Sequence, residues 1–320
     1  MYKVLITGSE LKYKKDEIEV LKDLAEVIID DTWKKDEIIK IIPDIDGLLV
    51  DVGVDIDKDI IEKANKLKII VVYGTGINNI DIDAATVRKI RVCNLPDVYK
   101  NEVAEFAVCL ILCLSKEVIR ENNDLKKNFE WNQGKYNPQL ILNKTIGLIG
   151  FGRIARRVKE IMQGFNVKFL AYDPYINKDF TNEKDVKFVT LESLLRNSDF
   201  ISIHIPLTKN NENFIDLNKM KLMKKSAFLI NISRGRIINE NDLYIALKEK
   251  IINGAAIDVF ETEPVDKANP LLKLNNVIVT PHIAWKSEKS EKRCEMLAAN
   301  KIKDFFSGKD INDIVNLEKL

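Results

Sequence analysis

The chain has 320 residues, of which 46% are hydrophobic and 31% charged, and its formal net charge at pH 7 is +1. This composition is typical of a globular protein, and the length predicts two domains. The near-neutral charge argues against nucleic acid or an anionic membrane as a partner. Since no apolar run could span a bilayer and no secretory signal pattern opens the chain, we expect a cytoplasmic protein.

Short apolar runs alternate with helix-period segments along the whole chain, which predicts an α/β fold with parallel sheets. In the first part we predict strands at residues 4–7, 47–52, 69–73 and 90–93, and helices at 16–27, 35–42, 57–64 and 83–89. A long apolar helix follows at 101–114, and the polar segment 123–144 is predicted to form a surface helix and loop. Cys109 and Cys113 lie four residues apart on the long helix, which favours core packing over a metal site.

Residues 145–158 predict a strand, a tight turn and a helix that match the dinucleotide fingerprint G-x-G-x-x-G/A. Gly150 allows the sharp turn, and Gly152 lets a pyrophosphate approach the backbone. Ala155 is small enough for the helix to pack closely on the strand. The N-terminus of that helix then offers N–H groups and a partial positive charge to the phosphates.

The next predicted strand, 167–171, is followed by Asp173, about twenty residues beyond the glycines. An acid at this place binds the adenosine ribose hydroxyls of NAD. Neither Pro174 nor Tyr175 is basic, so the sequence favours NAD over NADP. A second glycine loop at Gly74 and Gly76 lacks the third small residue of the fingerprint, and we interpret it as an anion-binding loop.

Polar residues follow the later predicted strands at 200–204, 227–232, 255–259 and 277–280, and parallel sheets bind ligands at such ends. Arg234 is suited to bidentate binding of a carboxylate, and His282 to acid–base chemistry near neutral pH. Glu263 could hold the imidazole and stabilise its charged form, and Glu261 is the rival candidate.

The chain resembles the D-isomer specific 2-hydroxyacid dehydrogenases over nearly its full length. The resemblance rests on several ordered motifs: Gly74-Thr-Gly76 through Asp81, Val103-Ala-Glu105, Gly147 through Ala155, Tyr172-Asp-Pro174, His204-Ile-Pro-Leu207, Asn231 through Gly235, Gly254 through Phe260 with Glu263-Pro264, and Thr280-Pro-His282. It implies an α/β architecture in which a Rossmann NAD-binding domain, 99–285, is inserted in a discontinuous flavodoxin-like substrate domain, 1–98 and 286–320. A homodimer, formed through the second domain and segment 123–144, is also expected from the family.

The resemblance also implies that Arg234, Glu263 and His282 form the catalytic triad, because the family's acid directly precedes the proline. NADH would reduce a small 2-oxo acid, with His282 as the proton donor and Arg234 on the carboxylate. The expected cofactor-binding residues are Gly150, Gly152, Arg153, Ile154, Asp173, His204, Pro206, Ile232 and Asp258. The expected substrate-binding residues are Tyr73, Gly74 and Thr75, through backbone N–H groups, and Trp285.

Trp285 could wall the substrate pocket or could pack between domains, and the sequence leaves both open. Two other functions also remain open. A D-3-phosphoglycerate dehydrogenase is disfavoured by Tyr73, which stands where a phosphate ligand is often found. A corepressor-like protein that senses NAD and recruits partners is compatible with an intact triad.

Overall fold

The computed structural model describes residues 1–8, 14–32, 34–129, 131–176, 183 and 185–319. The chain divides into two compact units, one of Met1–Tyr99 with Lys286–Leu320 and the other of Lys100–Trp285. Each unit holds a parallel sheet with helices packed against it, which confirms the predicted α/β class. No helix in the described ranges is long and apolar enough to cross a membrane.

The first unit contains a five-stranded sheet in the order β2-β1-β3-β4-β5, which is the flavodoxin order. Its strands are β1 (Tyr2–Thr7), β2 (Ala25–Asp30), β3 (Gly47–Val50), β4 (Ile69–Val72) and β5 (Arg91–Cys93). Its helices are α1 (Lys14–Leu21), α2 (Lys35–Ile41), α3 (Lys58–Lys63), α4 (Ile82–Val87) and α11 (Ser290–Phe306). Strands β3 and β4 are buried along their whole length, as expected for the centre of a sheet covered on both faces.

Strand β2 corrects the sequence prediction, which placed a helix over residues 16–27. The helix ends at Leu21, and the segment Ala25–Asp30 pairs with β1 along six residues. Three consecutive β-branched residues, Val27 to Ile29, favour this extended conformation. The strand lies at the sheet edge and is only partly buried, so its sequence resembles an amphipathic helix.

Residues near the C-terminus complete the first sheet by a polar contact. The buried side chain of Asn316 accepts the N–H of Val92 at 3.0 Å and donates to the carbonyl of Ile90 at 2.9 Å. It also donates to the hydroxyl of Thr86 at 3.1 Å. The backbone N–H of Val92 at the edge strand β5 is thereby hydrogen-bonded to a residue more than 220 positions away in the sequence.

The second unit contains a seven-stranded sheet in the order β12-β11-β10-β9-β6-β7-β8. Its strands are β6 (Thr145–Ile149), β7 (Lys168–Tyr172), β8 (Val186–Phe188), β9 (Phe200–Ile203), β10 (Phe228–Asn231), β11 (Gly254–Ile257) and β12 (Val277–Val279). Its helices are α5 (Lys100–Lys116), α6 (Val118–Asn123), α7 (Arg153–Met162), α8 (Leu191–Asn197), α9 (Leu217–Met220) and α10 (Glu240–Lys248). This is a Rossmann order, and the chain reverses direction across the sheet between β6 and β9.

Helix α5 packs on α7 and against β10 and β11, and buries most of its apolar residues there. Cys109, however, is exposed, so the prediction of core packing is wrong for this cysteine. After α6, residues Asp124–Asn128 form a π-helical turn, and no further helix or strand is described before β6.

Six strands of the second sheet end level with one another. Successive backbone pairs join one residue from each strand into a single row across the sheet: Tyr172, Ile149, Ile203, Asn231, Ile257 and Val279. Whatever follows these residues therefore emerges at one edge of the sheet.

Candidate active site

The residues that come one position after this row are, except for Thr280, expected cofactor-binding residues. In order across the sheet they are Asp173, Gly150, His204, Ile232, Asp258 and Thr280. The edge lies at the carboxyl ends of parallel strands and includes the reversal between β6 and β9, where open α/β sheets bind ligands.

The glycine turn after β6 has the geometry that its sequence predicts. Gly150 has φ +86°, and a Cβ on it would lie 2.8 Å from the side chain of Ile205 and 3.0 Å from the backbone of His204. Glycine is therefore required here. At Gly152, the residue before α7, an added Cβ would meet no described atom within 4 Å, so the backbone is open to a ligand.

The N-terminus of α7 has no side-chain cap and no acidic residue in its first turn. Arg153 is exposed and Ile154 is half-buried, while Ala155 is fully buried beneath them. The partial positive charge of the helix is thus left for a phosphate rather than neutralised by the chain.

Asp173 joins the glycine turn to the end of β7. Its carboxylate accepts the N–H of Phe151 at 2.9 Å and the N–H of Tyr175 at 2.9 Å. The side chain is half-buried, which leaves part of the carboxylate accessible beside the turn.

His204 presents an imidazole nitrogen without a hydrogen-bond partner. Its Nε2 atom is buried and meets no donor or acceptor among the described residues. Burial lowers the pKa of His204 to about 3, so the ring is neutral at physiological pH. Pro206 is exposed, and Ile232 is buried, with 7% of its surface exposed. An orphaned buried nitrogen beside an open glycine cradle is a pattern that a dinucleotide would complete, so the residues present fit NAD.

His282 lies three residues beyond the row, and its Nδ1 atom is 2.6 Å from Oε2 of Glu263. The other oxygen of Glu263 accepts the N–H of Phe260 at 2.9 Å. Burial raises the pKa of the Glu263 carboxyl group. The hydrogen bond and charge of His282, the Phe260 N–H and the charge of Arg234 lower this pKa by more, so it lies below its usual value. Glu263 is therefore held as a carboxylate.

Glu261, the rival acid, has a different position. Its carboxylate accepts the N–H of Glu240 at 2.9 Å, and its own N–H donates to the carboxylate of Glu240 at 3.0 Å. These contacts tie the loop after β11 to the start of α10, so it is Glu263 that faces His282 in the structure.

Arg234 lies three residues beyond the row on the neighbouring strand, β10. The turn that carries it is fixed by Asn231, which accepts the N–H of Ser233 at 3.1 Å and donates to the carbonyl of Arg234 at 2.9 Å. Burial lowers the pKa of the guanidinium, and the charge of Glu263 opposes this effect. Because the ordinary pKa of a guanidinium lies far above neutral pH, the group remains a cation at neutral pH.

The turns that carry Arg234 and Glu263 are packed against each other without space for a side chain. A Cβ on Gly235 would lie 1.9 Å from the carbonyl carbon and oxygen of Phe260 and 2.5 Å from the N–H nitrogen of Glu261. The backbone of one turn thus sets the position of the other.

The turn that carries His282 is organised by Asp258, which is fully buried. One carboxylate oxygen accepts the hydroxyl of Thr280 at 2.5 Å and the N–H of Ile283 at 2.9 Å, and the other accepts the N–H of Ala284 at 2.8 Å. Burial raises the pKa of Asp258, and these hydrogen bonds and His282 oppose the effect. Both oxygens of Asp258 accept bonds from the His282 turn in this structure, and its contact with the cofactor stays a prediction.

The second glycine loop, in the first unit, only partly matches its prediction. The N–H of Tyr73 donates to Val50 and that of Gly74 donates to Val72, both at 2.9 Å. The Tyr73 ring is buried, and its hydroxyl donates to Glu17 at 2.7 Å. Both N–H groups are therefore engaged within the first unit in this structure, and substrate binding by Tyr73 and Gly74 stays a prediction. Thr75 is exposed, and its carbonyl accepts from Asn94 at 2.8 Å.

The sequence interpretation missed two residues that shape the site. Asn231 holds the Arg234 turn, and Gly235 allows that turn to approach Phe260. An Asn at a strand end is itself a turn signal, and a Gly directly after a candidate ligand indicates a close backbone approach. Both signals were present in Asn231 through Gly235.

A Rossmann sheet, an open glycine turn at a helix N-terminus and an acid–imidazole pair at the same edge define a dinucleotide-dependent oxidoreductase. The family profile described as D-isomer specific 2-hydroxyacid dehydrogenase, NAD binding domain, matches residues 108–284. The chain belongs to this family of NAD-dependent dehydrogenases, as its motifs predicted.

Individual relatives agree with the family match. A D-3-phosphoglycerate dehydrogenase of Methanocaldococcus jannaschii is 37% identical over 321 residues, but the chain covers only 60% of that protein's length. A glyoxylate reductase of Korarchaeum cryptofilum is 36% identical, with 90% of each chain covered. The crystal structure of a D-lactate dehydrogenase from Aquifex aeolicus, complexed with NAD and lactic acid, is 30% identical with a TM-score of 0.86, covering 99% of this chain and 97% of the other.

Proposed function

We propose that the chain reduces a small 2-oxo acid to the corresponding D-2-hydroxy acid with NADH, and catalyses the reverse oxidation with NAD. The observation that carries this proposal is the 2.6 Å pair between His282 and Glu263, which lies at the same sheet edge as Arg234 and the glycine turn.

His282 is the proton donor in this proposal. Because Nδ1 faces Glu263, the ring nitrogen left to exchange a proton with the carbonyl oxygen of the substrate is Nε2. Glu263 fixes the ring orientation and stabilises the imidazolium, as an oriented carboxylate does for a catalytic histidine. In the reverse direction the neutral imidazole accepts the hydroxyl proton of the 2-hydroxy acid.

Arg234 binds the substrate carboxylate. The guanidinium is a fixed cation whose forked donors match a carboxylate, and its Nη1 also donates to the carbonyl of Ser233 at 2.8 Å. This contact holds the side chain near its own turn. In the first unit taken by itself, Thr75 and Gly76 are proposed to offer backbone N–H groups to an anion, since those of Tyr73 and Gly74 are used.

The dinucleotide is proposed to lie along the row of strand ends. Gly150, Gly152 and the first turn of α7 with Arg153 and Ile154 would hold the pyrophosphate. Asp173 would accept the ribose hydroxyls, and the residues nearer the reaction site would complete the binding surface: His204, Pro206, Ile232 and Asp258. Bound NADH supplies the hydride that reduces the carbonyl carbon.

The test is NADH oxidation with a panel of glyoxylate, pyruvate, branched-chain and methylthio 2-oxo acids, and phosphohydroxypyruvate. The proposal expects at least one acid to be reduced, with activity lost by at least about 100-fold in His282→Ala. Full activity of this variant on a good substrate would show that the assigned proton donor is wrong.

Two other functions give different results in the same assay. Preference for phosphohydroxypyruvate would indicate a D-3-phosphoglycerate dehydrogenase, which the Methanocaldococcus relative favours by its name. The burial of the Tyr73 hydroxyl against Glu17 removes this residue as a phosphate ligand and disfavours that outcome. NADH binding without turnover of any acid would indicate a protein that senses NAD and recruits partners.

We also propose that the protein is a cytoplasmic homodimer. Its four cysteines are unpaired in the structure, which suits a reducing compartment. Large apolar side chains are exposed along α6 and the segment that follows: Val118, Ile119, Leu125, Phe129, Leu140 and Leu142. Several large apolar side chains exposed along one segment are typical of a surface that a second copy covers. A monomeric mass by light scattering would contradict the dimer.

A further inference from the structure

Trp285 makes a contact that the function proposed above does not use. Its indole Nε1–H donates a hydrogen bond to the carbonyl oxygen of His282 at 2.9 Å. The ring is half-buried and follows the proposed proton donor by three residues. The sequence alone suggested a wall of the substrate pocket or a packing residue at this place, and neither function requires a bond to this carbonyl.

His282 has an unusual backbone conformation. Its φ is +52°, in the left-handed region that residues other than glycine rarely adopt. Such a conformation persists only where neighbouring groups hold it, and it is found most often at functional sites. The direction of the imidazole depends on this backbone, because the side chain leaves from the same Cα.

Contacts on both sides of His282 hold the turn. Its N–H donates to the carbonyl oxygens of Asp258 at 2.8 Å and of Thr280 at 3.1 Å. The Asp258 carboxylate accepts the N–H groups of the two residues that follow His282. The Trp285 indole binds the remaining backbone group of His282, its carbonyl. The direction of this carbonyl depends on the ψ angle of His282.

We infer that Trp285 is a positioning residue for His282: its indole N–H holds the left-handed turn, which keeps Nδ1 on Glu263 and leaves Nε2 for the substrate. The expected effect of Trp285 on kcat rests on the proposed function, whereas its expected effect on the His282 turn does not. Without the indole donor, the carbonyl of His282 loses this hydrogen bond and the turn can relax toward a common backbone conformation.

The variant Trp285→Phe keeps an aromatic ring and removes the N–H donor. We expect kcat to fall by about 3- to 10-fold, the range for loss of one hydrogen bond. The factor should be the same for glyoxylate and for a branched-chain 2-oxo acid, with NADH affinity unchanged. A residue that only walls the pocket would instead give losses that grow or shrink with the substrate side chain, and that result would overturn the inference.

The matched control is Tyr244→Phe, which removes a polar hydrogen from a half-buried ring on α10 of the same unit. This ring lies outside the proposed site, so kcat and KM should stay at wild-type values. Melting curves of both variants, followed by circular dichroism, establish that the fold is retained.

A second measurement needs no substrate. The chain has two histidines, so the ring signals of His204 and His282 can be separated by nuclear magnetic resonance in the apo protein. The short bond to Glu263 should shift the Nδ1 proton of His282 downfield. In Trp285→Phe this signal should move upfield and exchange faster, while Tyr244→Phe leaves it unchanged.

The two measurements separate the failure of one proposal from that of the other. If no 2-oxo acid is reduced by the wild-type protein, the proposed function fails, and the proton signal alone decides the role of Trp285. An unchanged Nδ1 signal in Trp285→Phe overturns the positioning role, whatever the kinetics show.

Discussion

The substitution Gly235→Ala tests the short backbone contact between the turns that carry Arg234 and Glu263. The added Cβ would lie 1.9 Å from the carbonyl carbon and oxygen of Phe260, whereas ordinary contacts begin at 3.4 Å. The turns must therefore separate by about 1.5 Å, the difference between 3.4 and 1.9 Å. Both atoms belong to backbone, so no side-chain rotation can relieve the overlap.

The movement reaches both partners of the proposed chemistry. Arg234 adjoins Gly235, and the N–H of Phe260 binds the carboxylate of Glu263 at 2.9 Å. Misplacement of reacting groups by about 1 Å can lower the rate by about 100-fold. Overpacking of this kind also lowers the free energy of unfolding by about 1–3 kcal/mol. We therefore expect kcat/KM for the preferred 2-oxo acid to fall by about 100-fold, with a small decrease in melting temperature.

The assay compares steady-state NADH oxidation with NADH affinity from fluorescence, which should change much less than kcat/KM because the pyrophosphate turn at Gly150 follows β6, two strands away from β10. The matched control is Gly164→Ala, where an added Cβ would meet no described atom within 4 Å. Wild-type kcat/KM and melting temperature in Gly235→Ala would refute the reasoning, because the contact could then not be as close as described.

Three further substitutions test other parts of the site. Gly152→Val should weaken NADH binding by at least about 10-fold with little change in melting temperature, because the side chain occupies the open approach of the pyrophosphate. Arg234→Lys should lower kcat/KM by about 10- to 100-fold, because a point charge replaces a forked donor. Because folding lowers the pKa of His204 to about 3, its contribution to stability is present above pH 6.5 and is lost as the pH falls. Between pH 7.5 and 5, the wild-type protein should lose about 2 kcal/mol of unfolding free energy through this group, and His204→Asn should not show this loss.

Each of these three predictions has a control variant, or a result that would contradict it. Gly164→Val should leave NADH affinity unchanged, and equal affinities for Gly152→Val and wild type would show that the pyrophosphate lies elsewhere. Arg236→Lys, on the exposed neighbour that pairs with Glu212, should keep wild-type kinetics. The unfolding free energy of both proteins is measured by chemical unfolding at pH 7.5 and pH 5. If it falls by the same amount in His204→Asn as in wild type, the buried neutral imidazole does not cause the pH dependence.

Much of the NAD site could be predicted because its signals are local. Gly150 specifies a turn by its positive φ, Gly152 leaves the backbone open, and Asp173 follows at the spacing of one βαβ step. Arg234 and His282 could be proposed as candidates because each follows an apolar strand, and parallel strands end at a common edge. In these cases the sequence pattern and the structure depend on the same few residues.

The remainder depends on contacts between distant segments. Strand β2 forms because it pairs with β1, and the local preference of Val27 to Ile29 for an extended backbone does not reveal that pairing. The structural preference for Glu263 over Glu261 comes from the N–H groups of Phe260 and Glu240, which bind one acid each. Likewise, an indole bonded to a backbone carbonyl leaves no pattern in the sequence.

The bond network of Asn316 also implies an order of events during synthesis. The second unit is continuous in the sequence, so every strand of its sheet has been made once residue 279 has been added. The contact between Asn316 and Val92 spans 224 positions, so it can form only after residue 316 has been added. Since domains fold as units and contacts of long sequence separation form late, the second unit can reach its native state on the ribosome before β5 gains this contact. The edge at β5 is then the surface that a nascent chain most needs to have shielded.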